Sequence, residues 1–250
     1  LIRRALDLTP MLSAIYVGFA DGGMFYIRRL DFKAAQRNEN APAQAAYMVH
    51  LSEPGPRGNT VRFYDEEMEL LLTRTAEFQR PHDMTWFHAA RERSGLIRTP
   101  AFMLPSRDIG FAIAQATADG KAVIGADLAL KDLSASLSRQ RASPSAQLAL
   151  TDLSGQVLAA SHGAWGLSEG ARVELPTLTT LGMPILAKAF SGAPSAKGTR
   201  TLNNEGREWE TLAVTAELAD GEPLYLVMAA PHDELLAGVS TLRLYAIASI

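Results

Sequence analysis

The sequence predicts an α+β fold of two tandem small units, each with an antiparallel sheet and helices on one side. Three observations carry this reading. Pairs of apolar runs flank Asp-Gly or Ser-Gly at four places, a strong hairpin signal. The order strand, Ala-Asp-Gly, strand, helix occurs twice, at Ala118-Asp119-Gly120 and at Ala219-Asp220-Gly221. Each copy is followed by a helical stretch with an acidic residue, Asp132 or Asp233. The chain of 250 residues is long enough for two such units, and chains of this size bury roughly 70% of their unfolded surface without staples.

The elements follow in order. Arg3 to Leu8 is a short helix stopped by Pro10. Leu12 to Phe19 and Met24 to Leu30 flank Ala20-Asp21-Gly22-Gly23 as the first hairpin. Gln44 to Leu51 reads as a third strand, and Ser52 to Asn59 as a turn-rich loop. Val61 to Leu72 begins strand-like and turns acidic. Met84 to Ala90 has the spacing of a short helix, with Asp83 as N-cap. Phe111 to Ala118 and Ala122 to Leu128 form the second hairpin. Leu128 to Leu137 is an amphipathic helix, with Leu130, Leu133 and Leu137 on one face. A linker covers 139–145. Ala146 to Leu153 and Gln156 to Ala160 flank Ser154-Gly155 as the third hairpin. Glu210 to Leu218 and Leu224 to Ala230 form the fourth, and a helix starts at Pro231.

Composition excludes several function classes. Hydrophobic residues at 47% and charged residues at 20% argue against disorder. A net charge of -3 leaves no basic surplus for a phosphate backbone, so nucleic acid is not an expected partner. Cysteine is absent, which removes disulfides, thiolate metal sites and cysteine nucleophiles together. No signal peptide is expected, and no run reaches the roughly 18 apolar residues of a membrane span. The ending Leu242 to Ile250 reads as an amphipathic helix or as the first turns of a membrane helix.

Candidate chemistry is sparse. Gly166-Leu167-Ser168-Glu169-Gly170 matches the nucleophile elbow of α/β hydrolases, and Ser168, Asp220 and His232 follow that triad's chain order. The context is wrong: no buried strand precedes Ser168, Pro176 cuts the following segment, and Asp220 sits in a hairpin turn. His50, His82-Asp83 and Asp127 loosely echo a phosphohydrolase metal set, but His50 and Asp127 fall on expected strands. No metal and no cofactor is therefore expected. Trp86 and Phe87 read either as core or as the wall of an apolar small-molecule pocket. Asp127 interrupts a run that otherwise looks buried. It reads equally as an N-cap for the next helix and as a carboxylate facing a ligand donor.

The ordered set of segments resembles the double Cache (dCache) sensor domains of bacterial receptors, which consist of two PAS-like modules. Pro10 to Leu30 resembles their opening hairpin, and Pro81 to Ala90 their Arg-Pro-Trp-Tyr segment. Ile109 to Ala114 and Val123 to Leu130, followed by Asp132-Leu133-Ser134, resemble the last hairpin and exit helix of the membrane-distal module. Leu150 to Leu158 and Ala230 to Leu236 resemble the start and end of the membrane-proximal module. The opening and spacing look most like sensors fused to class III adenylate or guanylate cyclases.

The resemblance implies two tandem PAS-like modules with antiparallel sheets, linked by an N-terminal helix. Residues 1–10 end that helix, 11–138 form the distal module, 139–145 a linker, 146–231 the proximal module, and 232–250 a helix approaching the membrane. It implies a non-enzymatic, small-molecule-sensing fragment on the periplasmic or extracellular face, tethered to the membrane in the full-length protein. A homodimer is compatible with this, and a ligand-free dimerisation module is a further alternative beside the Ser168 hydrolase. The implied pocket lies between Asp127 and Trp86, with Phe87, Tyr64 and Phe102 as further candidates. In family members that bind amino acids, an Arg and a Tyr stand where this sequence has Met84 and Gln79. The bidentate carboxylate clamp is thereby lost, so a neutral or amine-bearing ligand is expected over a carboxylate.

Overall fold

The computed structural model describes residues 2–30, 39–54, 58–77, 80–162, 173–191, 198–217 and 223–237. The chain divides into two compact units, Leu1–Asp132 and Leu133–Ile250. Both carry antiparallel sheets with few helices, so the α+β class read from the sequence is the class observed.

The first unit is a nine-stranded sheet. Its strands are β1 (Leu12–Phe19), β2 (Met24–Arg29), β3 (Tyr47–Ser52), β4 (Asn59–Tyr64), β5 (Leu70–Thr75), β6 (Ile97–Arg98), β7 (Phe102–Met103), β8 (Ile109–Ala116) and β9 (Ala122–Ala129). The order is β5-β4-β3-β2-β1-β9-β8-β6, with β7 also on β8. Strand alternation gives each face its own set of side chains. On one face Ile27, Tyr47 and Val49 pack under Leu6 of helix α1 (Ile2–Leu8). On the other face lie Ala14, Tyr16, Met24, Tyr26, Met48, Val61 and Phe63. Helix α2 (Thr85–Glu92) covers part of this second face with Trp86, Phe87 and Ala90. Gly18 on β1 makes that approach possible. A Cβ there would meet Pro81 at 2.9 Å, Trp86 at 3.0 Å and Phe87 at 3.1 Å.

Helix α3 (Leu130–Arg139) continues directly from β9. The second unit holds β10 (Gln147–Thr151), β11 (Val157–Ala160), β12 (Arg200–Asn204), β13 (Arg207–Glu217) and β14 (Pro223–Pro231), in the order β11-β10-β14-β13-β12. Helix α4 (Pro184–Ser191) buries Ile185, Leu186 and Ala189 against this sheet. After β14 the chain is helical over residues 232 to 237. Arg207 grips this turn by donating to both carboxylate oxygens of Asp233, at 3.0 and 2.9 Å, and to Glu234 at 2.9 Å.

Several expectations change in detail. Residues 61–72 begin in a strand, as expected, and the acidic stretch that follows is a turn into a second strand. They belong to a hairpin of β4 and β5 whose turn carries no glycine; the Asp65 carboxylate closes it by accepting from the backbone N–H of Glu67 and Glu69. Asp83 does not cap α2. It ends a one-turn 3-10 helix, Pro81–Asp83, and Met84 occupies the cap position without a side-chain hydrogen bond. The helix expected from Leu128 starts at Leu130, because β9 runs on to Ala129. Helix α4 and strand β12 were not anticipated. Ser168, the Ala219-Asp220-Gly221 turn, Gln79 and residues 238–250 lie outside the described residues.

Candidate functional site

A cavity of about 770 Å³ opens on the helix-side face of the first sheet. Strand register builds its floor. Gly125 on β9, Tyr16 on β1, Tyr26 on β2 and His50 on β3 stand side by side in one row. Asp127, Ala14, Arg28 and Met48 form the adjacent row. Trp86 and Met84 form a second wall, and the loop from Thr99 to Pro105, including Phe102, a third.

The rings in this cavity touch. Tyr16 stacks on Tyr26 with centroids 5.8 Å apart and meets Trp86 at 4.7 Å. Tyr26 lies 5.9 Å from His50. Gly125 makes room for the first of these rings: a Cβ there would lie 2.1 Å from the Tyr16 ring. The Trp86 indole N–H donates to the Met84 sulfur at 3.1 Å.

Asp127 is 4% exposed. It sits inside β9, three residues before α3, and its Oδ1 accepts from the Tyr16 hydroxyl at 3.0 Å. The helix-cap alternative therefore gives way, because the carboxylate is turned into the cavity rather than toward the helix. Burial pushes its pKa up to about 7, against the opposing pull of the Tyr16 hydrogen bond and the Arg28 charge. Burial, with the Asp127 charge added, raises both Tyr16 and Tyr26, so both phenols stay protonated. Burial, helped by Arg28, pushes the His50 imidazole down to about 4. Arg28 is itself buried and ion-paired to Glu39.

Of the five residues singled out in the sequence, the cavity brings together Trp86, Asp127 and Phe102. Phe87 does not face it. Its fully buried side chain packs in the core behind Trp86, because adjacent helix positions point about 100° apart. Tyr64 is on the opposite face of the sheet, in the layer under α1, because Phe63 takes the cavity-side position. Sequence reasoning missed Tyr16, Tyr26, Met24 and Met48, and it weighed His50 as a metal ligand rather than as part of this wall. The signal was present as alternation, in Tyr16 with Gly18, Met24 with Tyr26, and Met48 with His50. It becomes readable only once the buried face is known.

Among the described residues no group of three or more His, Asp or Glu side chains is arranged to hold a metal. His232, the remaining described member of the hydrolase set, has its Nδ1 3.0 Å from a Glu210 carboxylate oxygen. Among the described residues no helix is long and apolar enough to cross a membrane.

No protein-family model matches the chain. The chain is similar to Adenylate cyclase 1 of Rhizobium meliloti (strain 1021), with 26% identity over 254 residues covering 96% of this chain. It spans 37% of the length of that relative. Among solved structures it is similar to the ligand-binding domain of the Campylobacter jejuni chemoreceptor Tlp3 in complex with L-valine. The identity is 13% and the TM-score 0.47, covering 94% of this chain and 72% of that one. It is also similar to the ligand-binding domain of the Pseudomonas aeruginosa PAO1 amino acid chemoreceptor PctB in complex with L-Arg. There the identity is 14% and the TM-score 0.44, covering 97% of this chain and 78% of that one.

Proposed function

We propose that this chain is the extracytoplasmic small-molecule sensor of a membrane receptor of the double Cache kind, and that its ligand binds in the cavity of the first unit through a protonated amine. One observation carries the reading: a carboxylate buried to 4% exposure faces a 770 Å³ aromatic cavity without an Arg or Lys in its lining. A buried carboxylate is costly unless paired. Here one phenol is its hydrogen-bond partner, and an ammonium group would supply the missing counter-charge. The rings of Tyr16 and Trp86 favour the same guest, because aromatic faces attract cations.

Residues 11–138 act in this reading as the distal, ligand-binding module and 146–231 as the proximal one, with the segment that begins at 232 leading to the membrane. The physics is a population shift: a ligand that binds one arrangement of the receptor better biases the exit helix toward it. The relation to an adenylate cyclase, of which this chain spans 37%, supports a nucleotide cyclase as the cytoplasmic output. The fragment itself is non-enzymatic.

Titration calorimetry against a library of primary amines and matched carboxylates tests the proposal. Amines are expected to bind and carboxylates not. Asp127→Ala is expected to remove amine binding while the domain keeps its far-UV circular dichroism. Amine affinity that survives Asp127→Ala would take Asp127 out of the site. Binding should also tighten as pH rises through about 7, where Asp127 ionises.

A further inference from the structure

The cavity is acidic at two depths. Asp127 lies buried on β9, toward one side of the sheet. Glu77 and Asp83 also line the cavity, but both are exposed. Glu77 follows β5, the strand at the opposite edge of the sheet from the β9 side. Asp83 ends the 3-10 turn before α2. Apolar side chains line the space as well: Met24, Met48, Met84 and Phe102.

The charges do not cancel locally. Arg28, whose charge is felt at Asp127, is ion-paired with Glu39. The basic side chain in the lining, His50, is kept neutral above about pH 4 by burial and by Arg28. Size also matters. Asp127 on β9 and His50 on β3 are separated by three strand spacings, about 14 Å. A floor of that length accepts an extended guest, and a single small ammonium would leave most of it empty.

We infer that the cavity takes a dicationic ligand of the α,ω-diamine class. One ammonium lies against Asp127 beside the Tyr16 and Trp86 rings, an alkyl spine lies along the methionines, and the second ammonium lies at the mouth between Glu77 and Asp83. The inference rests on the amine reading of Asp127 given above. Water screens the mouth, so the second charge adds the modest gain of an exposed ion pair, roughly up to fivefold in affinity.

Calorimetry on the purified chain tests this with butylamine, hexylamine and octylamine, each against the terminal diamine of equal length. At one chain length at least, the diamine is expected to bind threefold or more tightly than its monoamine. Glu77→Gln combined with Asp83→Asn is expected to make the two bind alike, and added salt to shrink the preference in the wild type. Both substitutions are at exposed positions, and an unchanged Tm checks the fold. Monoamines that bind as tightly as diamines at every length, or a preference that survives the double substitution, overturn the inference and leave the amine reading standing. Failure of every amine to bind overturns both.

Discussion

The two sheets cover their helix-side faces by opposite means. In the second unit α4 lays Ile185, Leu186 and Ala189 on Ala149, Val227 and Ala229, and all six are at most 2% exposed. The face is closed by close-packed apolar side chains, the arrangement that contributes most to stability. In the first unit α2 packs on β8 and β9, and the face of β1 to β3 is left to Tyr16, Tyr26, His50 and Met48 around a hollow. A desolvated carboxylate and unfilled volume both cost stability. Among the described residues, one antiparallel design thus yields a face filled by α4 and a face left hollow beside a buried carboxylate.

Truncation should separate the two faces most widely. Leu186→Ala removes a side chain with no exposure from the filled face, and a loss of about 2–5 kcal/mol is expected. Met48→Ala removes a cavity wall that already borders open space, so the neighbours lose fewer contacts and water can enter. Its expected loss lies at or below the lower end of that range. Urea midpoints of the two variants make the measurement. Equal losses would mean that the hollow face is packed as tightly as the filled one.

The next effect is a pH dependence with two opposing parts. Asp127 has its pKa raised from 3.8 to about 7, so the folded state keeps a proton that the unfolded chain has released. Its contribution to stability therefore falls as pH rises from about 4 to 7. His50 has its pKa lowered from 6.5 to about 4, so the unfolded chain takes up a proton that the folded state refuses. Its contribution rises with pH from about 4 to 6.5. The two offset each other over nearly the same window. Asp127→Asn should leave stability climbing between pH 4 and 6.5, and His50→Gln should leave it falling, each by at most about 1.4 kcal/mol per pH unit. Curves that run parallel to the wild type in both variants would show that neither group is held in its shifted state.

The same contrast explains what the sequence could reveal. Hairpins whose turns carry Asp-Gly or Ser-Gly were legible, because such turns have few competing conformations. Asp119 even caps its own turn by accepting from Thr117 and Lys121. The β4–β5 hairpin was hidden because its turn, Asp65 to Glu69, is acidic and lacks glycine. In the site, Asp127 stood out as a charge in an apolar run and Trp86 through its segment. Tyr16 and Tyr26 did not, because an aromatic on a strand looks alike on either face, and His50 stood out only as a metal ligand. Strand register decides between them, and register is a property of the assembled sheet.

The smallest expected effect tests that register directly. Tyr64 and Phe102 both looked like pocket residues, and they lie on opposite sides of the sheet's cavity boundary. Tyr64→Phe removes one hydroxyl from the layer under α1. A stability change within about 0.5 kcal/mol and an unchanged amine affinity are expected. Phe102→Ala removes a ring from the cavity wall and should weaken amine binding, with the remaining loop 99–105 still anchored where the Thr99 hydroxyl accepts from the Ala112 N–H at 2.9 Å. Calorimetry with hexylamine compares the two. A loss of affinity in Tyr64→Phe that matches the loss in Phe102→Ala would mean that β4 presents its other face to the cavity. Phe63 would then have to leave its fully packed place beside Val61, so the loss of affinity would come with a large loss of stability.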